Sequence, residues 1–143
     1  MNVERERKSI FDSDACMYLC VVSIGLICFC VIYGTKVLNP GYVDWILSGG
    51  DLTQHYLGWV AYRASDWHFP IGMVDTLAYP YQTSIIFTDS IPLFAVIFKA
   101  LSPILPETFQ YFGLWGVCCF VLQGVCACRI IYRRGGRRGL LLL

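Results

Sequence analysis

The feature that most constrains this chain is a long uncharged run near its start. Residues 15–33 read ACMYLCVVSIGLICFCVIY and contain no charged side chain. A helix of this length, at about 1.5 Å per residue, crosses the roughly 30 Å hydrocarbon core of a bilayer. The run is longer than the apolar region of a usual signal peptide, and no A-x-A cleavage site follows it. We therefore predict a transmembrane helix at residues 15–33, preceded by a polar cytoplasmic tail at residues 1–14.

A second apolar run, at residues 109–132, predicts another transmembrane helix despite Gln110 and Gln123. Basic side chains gather at its end. Because cytoplasmic loops carry an excess of Lys and Arg, this cluster and the N-terminus are both expected inside. Residues 133–143 are expected to form a cytoplasmic turn and the start of a truncated helix, as in a fragment of a larger multi-spanning protein. The cluster consists of Arg129, Arg133, Arg134, Arg137 and Arg138.

Composition supports a membrane protein and gives no reason to expect a nucleic-acid partner. Apolar residues make up 57% of the chain, and its formal net charge is only +1. The eight cysteines lie within or beside the two apolar runs, with no His or carboxylate among them. A free cysteine in an apolar helix behaves as a small hydrophobic residue. We interpret the cysteines in that way rather than as a disulfide or metal framework.

The segment between the two runs, residues 34–108, is polar and aromatic. Its first part is poor in basic residues, which is typical of the non-cytoplasmic side. Helical periodicity predicts an amphipathic helix at residues 51–64. A second helix is predicted at residues 91–101, which is too short to span at about 16 Å. The predicted fold class is all-α integral membrane, with two transmembrane helices flanking an outside loop that carries two interfacial helices.

Two carboxylates, Asp51 and Asp89, precede or begin these predicted interfacial helices. A carboxylate at the membrane–water boundary is suited to act as a general base on a hydroxyl acceptor. It is also suited to hold a divalent cation beside a lipid-linked phosphate. A helix cap is an equally good interpretation of Asp51, because capping alone stabilises a helix by about 1 kcal/mol. Asp75, between them, is assigned to a turn.

The remaining polar and aromatic residues of the loop have simpler interpretations. His55 and His68 are expected to be hydrogen-bonded histidines rather than metal ligands, and Lys99 is expected to extend to the interface. The aromatic residues are expected to anchor the loop at the membrane, with stacking on sugar rings as the alternative. These aromatic residues are Trp59, Trp67, Tyr79 and Tyr81.

The sequence motifs of the loop resemble those of a known family. The strings GDLTQHYLGW, WHFP, YP-x-x-TS and FTDSIPL look like the start of type C glycosyltransferases, and closest to a bacterial inner-membrane family of that superfamily. The resemblance implies a multi-pass protein of the bacterial cytoplasmic membrane that uses a polyprenyl-phosphate sugar. Asp51 then matches the catalytic loop aspartate and Asp89 the second carboxylate. Leu52 stands where the family has a further acid, so a divalent cation stays an open question.

Further candidates for substrate contacts are Gln54, His55, Trp59 and Tyr81. The expected partners are membrane lipid, a lipid-linked sugar donor and further membrane helices. Two other functions stay open. One is a non-catalytic membrane component, such as a transporter or assembly subunit, in which the carboxylates only cap helices. The other is a truncated remnant without activity of its own.

Overall fold

The computed structural model describes the backbone of residues 14–140, which is mostly helical. It divides into two compact units. One, the helical pair, contains the long helices α1 and α4. The other, the aromatic unit, is Lys36–Tyr111. The α-helices of the described range are α1 (Asp14–Tyr33), α2 (Asp51–Ala64), α3 (Pro92–Ala100) and α4 (Phe112–Leu140).

Short elements complete the aromatic unit. Strands β1 (Met73–Val74) and β2 (Thr83–Ser84) pair antiparallel, with Met73 opposite Ser84 and Val74 opposite Thr83. Three 3₁₀ turns lie at Lys36–Leu38, Ile85–Thr88 and Ser102–Ile104. The predicted helices at 51–64 and 91–101 are therefore confirmed as helices, the second one residue shorter at each end.

The helical pair contains both candidate membrane spans. Ala15–Tyr33 and Phe112–Arg134 are each long and apolar enough to cross a membrane, and only 6% of either window is buried. Small residues let the two helices approach closely. A Cβ at Gly116 would lie 2.5 Å from the ring of Phe29, and one at Gly124 would lie 2.9 Å from Val21. Glycines at such contacts are typical of helices that associate in a bilayer.

The start of α4 differs from the sequence-based expectation. The helix begins at Phe112, and residues 109–111 instead lie buried in the aromatic unit. The side chain of Gln110 explains the difference. Its amide donates to the carbonyls of Val37 (2.9 Å) and Asn39 (3.0 Å), and its backbone N–H donates to Pro40 (2.8 Å). These bonds satisfy a polar side chain that a membrane span would leave without water.

The end of α4 differs as well. A turn was expected from residue 133, but the backbone stays helical to Leu140. Arginine is a good helix former, and two adjacent glycines cost only about 1 kcal/mol each relative to alanine. No proline interrupts this stretch. The basic cluster therefore continues the helix, and the expectation for residues 141–143 lies outside the described residues.

Aromatic rings form the core of the second unit. Tyr111 stacks on Phe98 at 5.2 Å between ring centroids, and its ring lies edge-on to Trp59 at 5.1 Å. Trp59 is 0% exposed, and its indole N–H donates to the carbonyl of Phe109 at 3.0 Å. The expectation that Trp59 anchors the loop at the membrane or binds a sugar was therefore wrong. Its helix α2 turns this face into the protein core.

Lys99 also departs from expectation, because it is buried rather than extended to an interface. Only 5% of the residue is exposed. Its Nζ donates to Ser65 Oγ (3.1 Å) and to the carbonyl of Asp66 (3.0 Å). The ammonium also lies 4.1 Å from the ring centroid of Tyr62. Burial lowers the pKa of Lys99, while the carboxylates of Asp75 and Asp66 oppose that shift.

Arg63, on the last turn of α2, holds the segment that follows α3. Its guanidinium donates to the carbonyls of Pro106 (2.8 Å) and Glu107 (2.9 Å), and also reaches Ser102 and Leu105. A planar group with five donors is suited to such a cluster of carbonyls. This arginine is therefore part of the scaffold that fixes α2 relative to the end of α3.

Candidate functional site

Asp51 lies at an exposed helix start that glycine makes possible. Gly49 and Gly50 have φ of 108° and 75°, a region that side-chain-bearing residues rarely adopt. Thr53 holds this turn, because its hydroxyl donates to the carbonyl of Ile46 (2.9 Å) and accepts from the N–H of Gly49 (3.1 Å). Gly50 is the N-cap, and no side chain caps the helix. Asp51 is instead the first helical residue, so the cap interpretation was wrong.

The second carboxylate lies on a strained loop. Asp89 ends the 3₁₀ turn Ile85–Thr88 with φ of 51°, and Ile91 also has φ of 51°. A β-branched residue at positive φ is a genuine outlier, and such strain costs of the order of 1–3 kcal/mol. Neither Asp89 nor Ser90 caps α3, since the N-cap is Ile91 and makes no side-chain bond. Strained residues of this kind cluster at functional sites.

Ser90, between the two strained residues, fixes this loop to the core. It is 0% exposed, and its hydroxyl donates to the carbonyl of His55 at 2.6 Å. The hydroxyl of Tyr111 donates to the carbonyl of Ser90. Burial raises the pKa of Tyr111, so the phenol stays a donor. Asp89 is exposed, whereas its neighbour Ser90 is buried and hydrogen-bonded to the core.

Gly58 provides the surface on which the loop rests. A Cβ at this position of α2 would lie 2.3 Å from Thr88 Cβ and 2.6 Å from Ser90 Oγ. A mid-helix glycine costs about 1 kcal/mol relative to alanine. The close approach of the loop accounts for it. Sequence reasoning missed this contact, although a glycine inside the helical string GDLTQHYLGW was a signal that something packs there.

The structure thereby brings together the segments that carry the two carboxylates. Gln54 Nε2 lies 3.5 Å from the carbonyl of Phe87, and His55 Nδ1 lies 3.2 Å from that of Thr88. Gln54 and His55 follow Asp51 by one helical turn, whereas Phe87 and Thr88 come directly before Asp89. Both carboxylates are exposed. They belong to two segments, the start of α2 and residues 85–91, which contact each other through the side chains of Gln54 and His55.

The other candidate residues divide into two groups. Gln54 and His55 border the carboxylates, and their side chains tie α2 to the strained loop. Tyr81 is 78% exposed and lies on the connection between β1 and β2. Its backbone N–H donates to the carbonyl of Ala78 (2.8 Å), within the same connection.

The side chains present do not complete a protein cation site. Among residues 15–134, whose side chains the structure describes, no group of three or more His, Cys, Asp or Glu is arranged to hold a metal ion. His55 Nδ1 faces a backbone carbonyl. Two carboxylates are few for Ca²⁺, which takes roughly six to eight oxygen ligands, whereas Mg²⁺ is commonly held by one or two carboxylates together with waters and substrate phosphates.

A second charged group lies near Lys99. His68 Nε2 is 3.1 Å from Asp75 Oδ2, and both side chains are partly exposed. This is an ion pair only when the imidazole is protonated. Asp75 follows β1 directly in a bend, which fits its assignment to a turn. The sequence did not predict the pairing of Asp75 with His68, because the two residues meet only through the turn that precedes β1.

Comparison with known proteins identifies a family. The sequence profile described as Domain of unknown function (DUF6311) matches residues 22–143. No curated protein and no solved structure matches the chain. The matched range contains α4, the whole aromatic unit and most of α1.

Proposed function

We propose a function for this chain, which belongs to the DUF6311 family: the family profile matches residues 22–143. We infer that it is a membrane glycosyltransferase-like protein. It transfers a sugar from a polyprenyl-phosphate donor to a hydroxyl acceptor, on the extracytoplasmic side of a bacterial cytoplasmic membrane. Asp51 acts as the catalytic base and Asp89 as the second carboxylate.

The contact between the two carboxylate-bearing segments carries this proposal. Sequence motifs separated by more than 30 residues meet through His55 and the carbonyl of Thr88, at 3.2 Å. A helix cap needs no such partner segment. A catalytic carboxylate does, because it must be held within a narrow range of positions relative to a second group. The strained φ of Asp89 and the buried Ser90 support the same interpretation.

The helical pair supports the membrane part of the proposal. Two windows are long and apolar enough to span a bilayer. In the sequence, basic residues precede the first window and end the second, and an excess of basic residues favours the cytoplasmic side. With both ends inside, the aromatic unit and its carboxylates are outside, where polyprenyl-linked sugars are presented.

The proposed reaction is a single displacement at the anomeric carbon. The acceptor oxygen attacks that carbon and forms the new C–O bond, while Asp51 takes the hydroxyl proton. The bond between the anomeric carbon and the phosphate oxygen breaks, and its electron pair leaves with the phosphate. The polyprenyl phosphate departs as a phosphate monoester. Asp89, with Gln54 and His55 beside it, orients the donor through hydrogen bonds to its polar groups.

Replacement of the proposed base tests the reaction. Asp51→Asn keeps the size of the side chain but removes the basic oxygen, so transfer should fall by about 10²-fold or more. Transfer is measured in native membranes as acceptor glycosylation and release of polyprenyl phosphate. Asp44→Asn is the matched control, because Asp44 is an exposed aspartate of the same unit. Activity of Asp51→Asn within twofold of the natural chain would remove the catalytic assignment.

A non-catalytic membrane component is the second candidate. It is favoured by the place of Asp51 in the first turn of α2, where an anion stabilises the helix dipole. On this account Asp51→Asn lowers the unfolding free energy of the aromatic unit by about 0.5 kcal/mol and has no effect on sugar transfer. The two measurements on one variant therefore separate the candidates.

A further inference from the structure

Exposed apolar side chains lie along one side of α3 and on the 3₁₀ turn Ile85–Thr88 before it. Six large apolar side chains there are between 41% and 80% exposed. Of the four that follow the helix start, the first two are four residues apart and share one face of α3. The last two continue that spacing just past the end of α3 at Ala100. We call this surface the outer face. Its members are Ile86, Phe87, Leu93, Ile97, Leu101 and Ile104.

The opposite side of α3 is fixed in the core, so the outer face has no way to turn inward. Ala95 is fully buried, and Lys99 is bound through its ammonium. The rings of Phe94 and Phe98 lie 6.0 and 5.2 Å from that of Tyr111. The exposure of the outer face therefore follows from the packing of the unit.

The outer face is free of charge. From Ile91 to Leu105 the only ionisable side chain is that of Lys99, which is buried on the other side. A contiguous apolar surface of this kind marks a contact with another protein or with a membrane. Inserting this face into lipid would therefore not remove a charged group of α3 from water.

Chain connectivity indicates which of these contacts applies. Lys36 follows the candidate span Ala15–Tyr33 by three residues, and Phe112, where the other begins, directly follows Tyr111. A unit of this length is only roughly 30 Å across. With both candidate spans in the bilayer, both ends of the unit are tethered at its surface, and the unit is held close to the lipid.

We propose that the outer face of α3 is inserted into the headgroup–acyl boundary of the membrane. The occupant is the lipid bilayer. An interfacial position was equally expected for helix α2, but α2 does not present a comparable apolar surface. Its exposed Leu52 and Leu57 are interspersed with Asp51 and Gln54, and its aromatic face is buried.

This placement deepens the proposed function, on which the following consequence rests. Asp89 is exposed and lies two residues after Phe87 and four before Leu93, at the border of the outer face. With the outer face in lipid, Asp89 lies at headgroup level. The phosphate of a lipid-linked donor lies at the same level.

Spin labels test the placement without any assay of activity. The eight cysteines are replaced by alanine in the full chain, and single cysteines are introduced at Leu93, Ile97 or Ile104. The labelled protein is reconstituted into vesicles of phosphatidylethanolamine and phosphatidylglycerol. Leu57→Cys is the matched control, since Leu57 is 54% exposed and Ile97 47%. The ratio of oxygen to nickel-chelate accessibility should be at least threefold higher at the three α3 positions.

Two results would overturn the placement. One is an accessibility ratio at α3 equal to that at Leu57. The other is spin–spin broadening at Ile97 that disappears on dilution with unlabelled protein, which means that a second copy covers the face.

The natural chain provides a second measurement if the cysteine-free chain does not fold. A phospholipid with a photoactivatable acyl chain should label the α3 peptide several-fold more than the α2 peptide, and equal labelling rejects the proposal. Neither readout depends on Asp51, so failure here is distinct from failure of the glycosyltransferase proposal.

Discussion

The helical pair and the aromatic unit are stabilised by different kinds of contact. In the helical pair, glycines bring two apolar helices together, and rings such as Phe29 and Phe120 meet at 5.6 Å. In the aromatic unit, four buried polar or charged residues each form specific hydrogen bonds. All the buried polar or charged residues of the described range lie there: Ser65, Ser90, Lys99 and Gln110.

This difference determines how each region responds to substitution. An apolar helix pair tolerates many side chains of similar size, because its contacts are non-directional. A buried hydrogen bond fails completely when one partner is lost, and the group left behind costs about 1–3 kcal/mol. The aromatic unit should therefore be sensitive to single atoms, and the helical pair mainly to volume at its glycines.

The largest effect is expected at Gly58. Gly58→Ala places a methyl group 2.3 Å from Thr88, whose own hydroxyl is bonded to the carbonyl of Ile85. The loop can withdraw only by breaking this bond and the bond from Ser90 to the carbonyl of His55, so the aromatic unit should lose about 3 kcal/mol. Hydrogen exchange of the unit in detergent measures this loss, and the exchange of α1 and α4 should not change.

Gly41→Ala is the control for Gly58. A Cβ there would meet only the side chain of Asn39, at 3.5 Å, which is ordinary contact. Helix propensity alone would make Gly58→Ala stabilising by about 1 kcal/mol. A stabilised variant would therefore show that the loop does not rest on α2.

The second effect is expected at Lys99. Lys99→Ala removes two hydrogen bonds and the contact of the ammonium with the ring of Tyr62, and leaves the carbonyl of Asp66 without this donor. The unfolding free energy of the aromatic unit should fall by about 2–3 kcal/mol. Lys36→Ala, at an exposed lysine of the same unit, should leave it unchanged. Equal effects of the two variants would mean that Lys99 is not a buried cation.

Most of the helical pair was predictable from the sequence, and the reason is physical. A long uncharged run satisfies all its backbone groups only as a helix, so hydropathy alone gave α1 and the body of α4. The ends were less well predicted. The polar partners of Gln110 lie near residue 37, and no local pattern indicates a contact between positions so far apart.

The aromatic unit was predictable in its helices but not in its contacts. Periodicity gave the bounds of α2 correctly, since helical propensity is local. It did not tell which face of α2 is buried, and so Trp59 was assigned to the membrane interface or a sugar. The approach of residues 85–91 to α2 depends on Gly58 and Ser90 together. That approach brings the segment after Asp51 against the segment before Asp89, a relation that the sequence indicated only through family resemblance.

The third effect, at Gly116, concerns the helical pair. Gly116→Ala puts a methyl group 2.5 Å from the ring of Phe29, which must rotate or separate the helices. The pairing of α1 with α4 should weaken by about 1–2 kcal/mol, measured by steric trapping of the two helices in detergent. Leu122→Ala, at an exposed site on α4, is the control. Hydrogen exchange of the aromatic unit should be the same in both variants, and a parallel loss there would show that the two regions do not respond separately.

The smallest effect is the contribution of Tyr111 to alkaline unfolding. Burial raises the pKa of Tyr111 above its ordinary value of 10.0, and burial also raises the pKa of Tyr56 and Tyr62. Above pH 10 the unfolded chain releases these phenolic protons while the folded unit retains them. Stability therefore falls as pH rises, by up to about 1.4 kcal/mol per pH unit for each such tyrosine. Lys99 acts in the opposite direction, because its pKa is lowered and the unfolded chain then holds the extra proton up to about pH 10.5. Above that pH the raised pKa values of the tyrosines determine how stability changes with pH.

Tyr111→Phe should cost about 1 kcal/mol at pH 7 through the lost bond to Ser90, and should make the decline between pH 10.5 and 11.5 shallower. Tyr79→Phe, at an 89% exposed tyrosine, should leave the slope unchanged, and an equal slope in all three chains would mean that the phenol of Tyr111 is not held in the core.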